Sequence, residues 1–138
     1  MALVKIKKNF QTVVDERGEI VNILDADIRH VALITSKSGA VRGNHYHPEQ
    51  IQHDYLLKGK YEYIAKDIKT GATESHVIET GNLVITPPNM AHAMKFLEDS
   101  VFLTFTTGRR EVEKYETHTR KFELIHPGKV ESTTKTMP

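Results

Sequence analysis

The chain has 138 residues, a length that suits one domain with a single core. Its 19 Lys and Arg residues balance 18 Asp and Glu residues, so no strong net charge draws it to nucleic acid or to a membrane. The lack of Cys excludes disulfides and thiolate metal sites, whereas eight His residues are many for this length. The N-terminal stretch has no signal-peptide pattern, and no apolar run approaches the roughly 20 residues of a membrane span. We therefore expect a cytoplasmic protein.

Short-period apolar patterns predict β-strands along most of the chain. Eight segments of strand length are rich in β-branched or aromatic residues: 19–24, 30–36, 52–59, 60–67, 75–80, 82–87, 92–97 and 100–107. Turns that contain glycine or proline separate them, which is typical of an all-β sandwich or closed barrel. We expect one antiparallel β domain over residues 1–126 and a loosely ordered polar tail over 127–138.

The N-terminal segment 2–10 is short and alternating and belongs to none of these eight segments. A small barrel leaves strand edges that another chain can cover. The segment is therefore assigned to the edge of a partner in a homodimer. The alternative is that it pairs within its own sheet.

The sequence RGNHYH at 42–47 places polar residues where a strand should pack apolar ones. Side chains at i and i+2 on a strand share a face, so His45 and His47 project side by side. Forty-five residues further on, His92 begins another strand after a Pro-Pro turn. Three imidazoles from neighbouring strands are a good ligand set for a divalent transition metal such as Zn, Ni, Mn or Fe. The alternative for the His pair alone is a solvated face.

The spacing of these residues resembles both motifs of the cupin family. The first motif, within 39–59, is matched by five residues: Gly39, His45, His47, Gln52 and Gly59. The second, within 81–96, is matched by Gly81, Pro87 and His92. The resemblance implies a small jelly-roll barrel whose lumen holds a metal bound by His45, His47, Gln52 and His92. Glutamine takes the position where the family usually has glutamate.

The fourth ligand has two candidates. Motif spacing favours Gln52. Alternation, however, places His53 on the more apolar face with Tyr55 and Leu57, so a bulge could turn His53 inward instead.

Three stretches are similar to sugar-nucleotide cupins, namely the dTDP-4-dehydrorhamnose 3,5-epimerases and the dTDP-4-keto-6-deoxyhexose ketoisomerases. They are VVDERGEIVNI (13–23), VRGNHYHPEQIQ (41–52) and TPPNMAHAMKFLEDSVFLTF (86–105). The resemblance implies that Arg17 meets nucleotide phosphates, that Arg42 lies over the substrate and that His45 is the catalytic base. It implies a nucleotide sugar as the small-molecule partner.

The leading expectation is a metal-binding keto-sugar isomerase or epimerase. Removing a proton next to a ketone needs a base of near-neutral pKa, which histidine supplies. Two departures from the epimerases keep alternatives open: Gln52 stands where they have lysine, and no tyrosine lies near TFTTGR at 104–109. The alternatives are a metal-dependent dioxygenase of a small organic substrate and a binding protein without catalysis.

Overall fold

The computed structural model describes residues 2–108 and 119–126, and all regular structure in these ranges is β-strand. The strands are β1 (Lys5–Lys7), β2 (Gln11–Asp15), β3 (Gly18–Asn22), β4 (His30–Ser36), β5 (Val41–Tyr46), β6 (Gln52–Lys58), β7 (Lys60–Asp67), β8 (Thr73–Glu79), β9 (Leu83–Thr86), β10 (Met90–Phe96), β11 (Ser100–Thr106) and β12 (Arg120–Lys121). The eight predicted strands are confirmed, with ends shifted by at most two residues. The predicted tail at 127–138 lies outside the described residues. Within the described ranges, no helix has the length and apolarity needed to cross a bilayer.

Ten of the strands form two five-stranded sheets. The first sheet has the order β1-β9-β6-β11-β4 and the second β12-β5-β10-β7-β8. All pairings are antiparallel, and β2 with β3 forms a separate hairpin. The predicted all-β jelly roll of cupin type is confirmed.

The apolar core lies between the two sheets because their inner faces meet there. Phe102 on β11 of the first sheet packs against Phe96 and Tyr61 of the second, with ring centroids 5.8 and 6.4 Å away. All three side chains are almost completely buried. Buried aromatic side chains contribute much of the stability of a core this small.

Strand β10 runs from this core to a polar region at the other end of the barrel. His92 and Phe96 share its inner face, since residues at i and i+4 on a strand point the same way. Four residues span about 13 Å along a strand. Strand β6 repeats the arrangement, with Leu56 in the core and Gln52 at the polar end. The aromatic core therefore fills one end of the lumen and leaves the other for chemistry.

The N-terminal segment pairs within its own sheet, which was the alternative interpretation. Lys5, Ile6 and Lys7 lie opposite Ile85, Val84 and Leu83 of β9. The physical reason is burial: Val4 is 5% exposed and belongs to the core cluster, against which Ile6 also packs. The assignment of residues 2–10 to a partner's edge is therefore corrected.

A bulge interrupts β5 inside the RGNHYH sequence. His92 of β10 lies opposite His45, but the next residue, Ala93, lies opposite Gly43, so Asn44 has no partner in the register. Asn44 has a positive φ of 55°. Its side-chain oxygen accepts from the backbone N–H of Leu124 and Ile125, which ties residues 124 and 125 to the bulge. A bulge bends its strand and redirects the side chains beside it.

Candidate functional site

Three histidines meet at the polar end of the lumen, as predicted. The ring centroid of His45 lies 4.7 Å from that of His47 and 4.7 Å from that of His92. His47 and His92 are buried, at 3% and 1% exposure, while His45 is half-buried. Neighbouring strands bring them together, because β5 and β10 pair with His45 directly opposite His92.

A cavity of about 290 Å³ opens over this cluster. Its lining includes Arg42, Gly43, His45, Gln52 and His92. Arg42 is exposed, and its guanidinium donates from Nε to Ser36 Oγ at 2.7 Å and from Nη2 to the Thr35 carbonyl at 2.9 Å. Since a guanidinium has five N–H donors, these two bonds hold it in place without using its capacity to bind an anion.

Of the two candidates for the fourth metal ligand, Gln52 and His53, it is Gln52 that faces the site. Its Oε1 lies 3.0 Å from Nε2 of His47. His53 lies on the other side of β6, where its Nδ1 is 3.2 Å from the carbonyl of Phe105. The bulge considered for β6 does not occur at this end of the strand, so alternation keeps His53 away from the lumen.

Two further polar contacts lie around His47 and Gln52, and neither was predicted. Gln52 donates from Nε2 to Asp54 Oδ2 at 2.8 Å, and Asp54 is completely buried. Thr119 Oγ1 lies 3.3 Å from Nδ1 of His47. The spacing of Gln52 and Asp54 at i and i+2 on one face was the available signal for the first contact, whereas only the pairing of β12 with β5 brings Thr119 near the site.

Two buried tyrosines lie beside the cluster in the core, outside the lining of the cavity. Tyr63 stacks on His92, with ring centroids 6.0 Å apart and planes 11° apart, and its hydroxyl lies 2.5 Å from Thr86 Oγ1. Burial raises the pKa of both Tyr61 and Tyr63 well above the usual tyrosine range. Both hydroxyls therefore stay protonated.

Arg17 lies apart from this cavity. It follows β2 at the tip of the β2–β3 hairpin, where 84% of its side chain is exposed. Its Nη2 is 2.6 Å from Asp15 Oδ2. Hydrogen bonds from Arg17 hold the pKa of Asp15 below its usual range. Within the described chain, Arg17 and Arg42 thus belong to different surfaces.

The histidine cluster fits a divalent ion with a small adjustment. One ligand nitrogen from each of His45, His47 and His92 can be chosen so that all three lie within 4.8 Å of one another. Nitrogens that share a tetrahedral ion at about 2.1 Å lie about 3.4 Å apart, so the most distant pair would have to approach by up to about 1.4 Å. The ion would also have to displace Gln52 or Thr119 from His47.

Comparison with known proteins places the chain in a family. Residues 13–125 match the family described as "Polysaccharide biosynthesis C-terminal domain". The chain belongs to this family. The matched range begins within β2 and includes β3 through β12 and all three histidines of the site. No curated protein sequence matches the chain.

Solved structures similar to this family member include three enzymes described as an epimerase or ketoisomerases. A dTDP-4-dehydrorhamnose 3,5-epimerase from Sulfolobus tokodaii has a TM-score of 0.72 at 22% identity, over 88% of this chain and 77% of its own. A 3,4-ketoisomerase variant from Thermoanaerobacterium thermosaccharolyticum, in complex with TDP-4-keto-6-deoxyglucose, has a TM-score of 0.69 at 20% identity, over 86% and 87%. A TDP-quinovose 3,4-ketoisomerase from Campylobacter jejuni has a TM-score of 0.69 at 21% identity, over 81% and 90%. The predicted resemblance in fold to sugar-nucleotide cupins is confirmed.

Proposed function

We propose that the protein is an isomerase or epimerase that acts on a nucleotide-linked keto sugar. The observation that carries the proposal is the cluster of three imidazoles, two of them buried, beneath a cavity edged by Arg42. The family, whose description names polysaccharide biosynthesis, and the sugar-nucleotide enzymes of the same fold support this substrate class.

The cavity is large enough for only one part of a nucleotide sugar. At about 290 Å³, the cavity falls at the lower end of the range for small-molecule pockets. It accommodates a sugar ring but not a whole nucleotide sugar, so the phosphates and nucleoside lie outside the mouth. Arg42 stands at this mouth with a permanent positive charge, which suits a phosphate oxygen. The proposal does not use Arg17, because it lies apart from the cavity in the single chain.

The reaction would begin with His45 removing the proton from the carbon next to the ketone. The electron pair of the broken C–H bond moves to the carbonyl oxygen and forms an enolate. Return of a proton to the same carbon from the opposite face inverts its configuration. Return to the former carbonyl carbon, while the proton of the hydroxyl on the first carbon moves to the former carbonyl oxygen, moves the ketone along the ring. His92, whose ring centroid is 4.7 Å from that of His45, is the second group near enough to exchange that proton.

Solvent exchange tests this proposal directly. Incubation with TDP-4-keto-6-deoxyglucose in heavy water is expected to replace a ring proton next to the ketone by deuterium, as measured by proton NMR. TDP-glucose, which has no ketone, is the control and should show no exchange. Absence of exchange together with metal-dependent oxygen uptake on a small organic acid or diketone would contradict the proposal and favour the dioxygenase alternative.

A second candidate is the same site with a bound divalent metal. The separation of the histidine nitrogens, all within 4.8 Å, favours it. We propose His45, His47 and His92 as the ligands, with Gln52 adjacent. A bound metal would act as a Lewis acid towards a carbonyl or enolate oxygen. In that form the three histidines would hold the ion, and Arg42 would remain to orient the substrate.

We also propose a homodimer, formed through the outer face of the first sheet. Val31 and Leu33 on the edge strand β4 are 54% and 64% exposed. They lie opposite Phe105 and Leu103 of β11, so the four apolar side chains share one outward face. A contiguous apolar face on a sheet indicates a protein contact surface, and a second copy presents the same chemistry.

Light scattering at micromolar concentration is expected to give twice the 15.7 kDa mass of one chain. Leu33→Glu should shift the mass towards that of a monomer, because a carboxylate would be buried without a partner in the contact. Val77→Glu is the matched control: Val77 is 50% exposed, but it lies on β8 of the opposite sheet. A monomeric wild type, or equal effects of the two variants, would contradict this surface.

A further inference from the structure

A chain of three hydrogen-bonded side chains runs from the site into the barrel. Nε2 of His47 lies 3.0 Å from Oε1 of Gln52, and Nε2 of Gln52 donates to Oδ2 of Asp54 at 2.8 Å. All three residues are buried, Asp54 completely. Keeping a carboxylate there costs several kcal/mol of desolvation, which core packing alone does not require.

The chemistry of the three groups fixes the direction of these bonds. Gln52 turns its NH₂ group towards Asp54, whose Oδ2 accepts from Nε2. Its carbonyl oxygen therefore faces His47 and needs a donor there. That donor is an N–H at Nε2 of His47. The neutral ring then has its lone pair on Nδ1, where the Thr119 hydroxyl lies at 3.3 Å and can donate.

His92, the other buried histidine of the cluster, carries its proton on the opposite ring nitrogen. Nδ1 of His92 lies 3.1 Å from the carbonyl oxygen of Met90, which can only accept. The proton of neutral His92 is thus on Nδ1, and its lone pair is on Nε2. The two buried rings of the site are held in different tautomers by bonds from different strands.

We propose that Gln52 and Asp54 are positioning residues that hold a proton on Nε2 of His47. His47 then fixes the geometry of the cluster, while His45 and His92 exchange protons with the substrate. Gln52 acts in this arrangement as a hydrogen-bond acceptor for an imidazole, which differs from the role of metal ligand expected from its motif position. Only the effect on reaction rate rests on the proposed function; the tautomer is a property of the free protein.

The tautomer can be measured without substrate. Two-bond ¹H–¹⁵N correlation spectra of protein labelled with ¹⁵N-histidine distinguish Nε2–H from Nδ1–H rings, and a His47→Gln spectrum assigns the signal of His47. We expect an Nε2–H ring at His47 and an Nδ1–H ring at His92. A protonated Asp54 that donated to Gln52 would reverse every bond in the chain, so an Nδ1–H ring at His47 overturns the proposal.

Two variants test whether the carboxylate is the cause. Asp54→Asn places an amide that both donates and accepts at the end of the chain, so Gln52 is free to turn over. His47 should then lose its exclusive Nε2–H form. Adding Gln52→Glu to Asp54→Asn places a carboxylate at position 52, directly beside the His47 ring. There it accepts from the His47 ring and from the amide at position 54. The double variant should regain the Nε2–H form, and an unchanged tautomer in Asp54→Asn overturns the proposal.

Folding and activity provide the remaining readouts. Should Asp54→Asn fail to fold, Gln52→Leu replaces it, since it removes the acceptor and predicts the same loss. With TDP-4-keto-6-deoxyglucose, Asp54→Asn should lower kcat about 10- to 100-fold with little change in KM, and the double variant should recover part of the loss. A loss of stability alone would not be rescued by the double variant. If no variant and no wild type exchanges the substrate proton, the proposed function fails while the NMR result still decides the tautomer.

Discussion

Replacing His45 by glutamine is expected to lower solvent exchange next to the ketone by about 10²- to 10⁴-fold, the usual contribution of a general base. His45 is the half-buried member of the cluster and lines the cavity, so it is the imidazole most open to the substrate. Affinity for the TDP sugar should change little, because Arg42 and the rest of the cavity remain. Exchange by NMR and binding by calorimetry give the two quantities.

Metal analysis of the same variant separates the two forms of the site. Wild type and His45→Gln are analysed as purified and after incubation with Zn, Ni, Mn or Fe. If His45 is a free base, the variant loses exchange in protein that holds no metal. If His45 is a ligand, the wild type holds about one ion, and the variant loses the ion and the activity together. His76→Gln is the control, since His76 lies on β8 beside Glu74. Full exchange activity in His45→Gln would contradict both forms.

The sequence was sufficient to predict eight of the twelve strands in the described residues and the meeting of the three histidines. Strand limits were readable because turn residues interrupt the apolar patterns, as Gly59 does between β6 and β7. His45 and His47 were placed together by strand alternation. The position of His92 followed from the resemblance in motif spacing, because no local pattern relates it to residues 47 positions earlier. This part of the site depends on short-range geometry and on a family pattern.

The remaining contacts depend on strand register, which one sequence does not specify. Asn44 is bulged because β5 and β10 pair out of step there. Asp54 reaches His47 through the side chain of Gln52, and Thr119 lies 72 residues after His47 in the sequence. Arg17 shares an RG pair with Arg42, but the hairpin that carries it pairs with neither five-stranded sheet. Similar local sequences thus occupy separate surfaces.

Replacing Gly43 by alanine is expected to damage both stability and the site. Gly43 has a φ of 84°, and an added Cβ would lie 2.8 Å from the carbonyl oxygen of His92 and 3.2 Å from Cα of Ala93. These are backbone atoms of the paired strand, so β5 and β10 must move apart. The strained φ costs about 1–2 kcal/mol, and the overpacking adds about 1–3 kcal/mol. Urea unfolding measures the sum as a lower midpoint at constant slope.

Gly39→Ala is the matched control, because it separates backbone strain from the clash. Gly39 has a nearly equal φ of 88°, but nothing lies within 4 Å of an added Cβ. It should lose only the strain energy and keep its exchange activity. In Gly43→Ala, by contrast, the shift falls between His45 and its opposite residue His92, and a misplacement of about 1 Å can cost about 10²-fold in rate. Equal stability losses in the two variants, or full exchange in Gly43→Ala, would contradict the close approach of β5 and β10. Glycine in the RGNHYH sequence is thus explained by the strand that carries the third histidine: only a residue without a side chain lets β10 come near enough for His92 to meet His45.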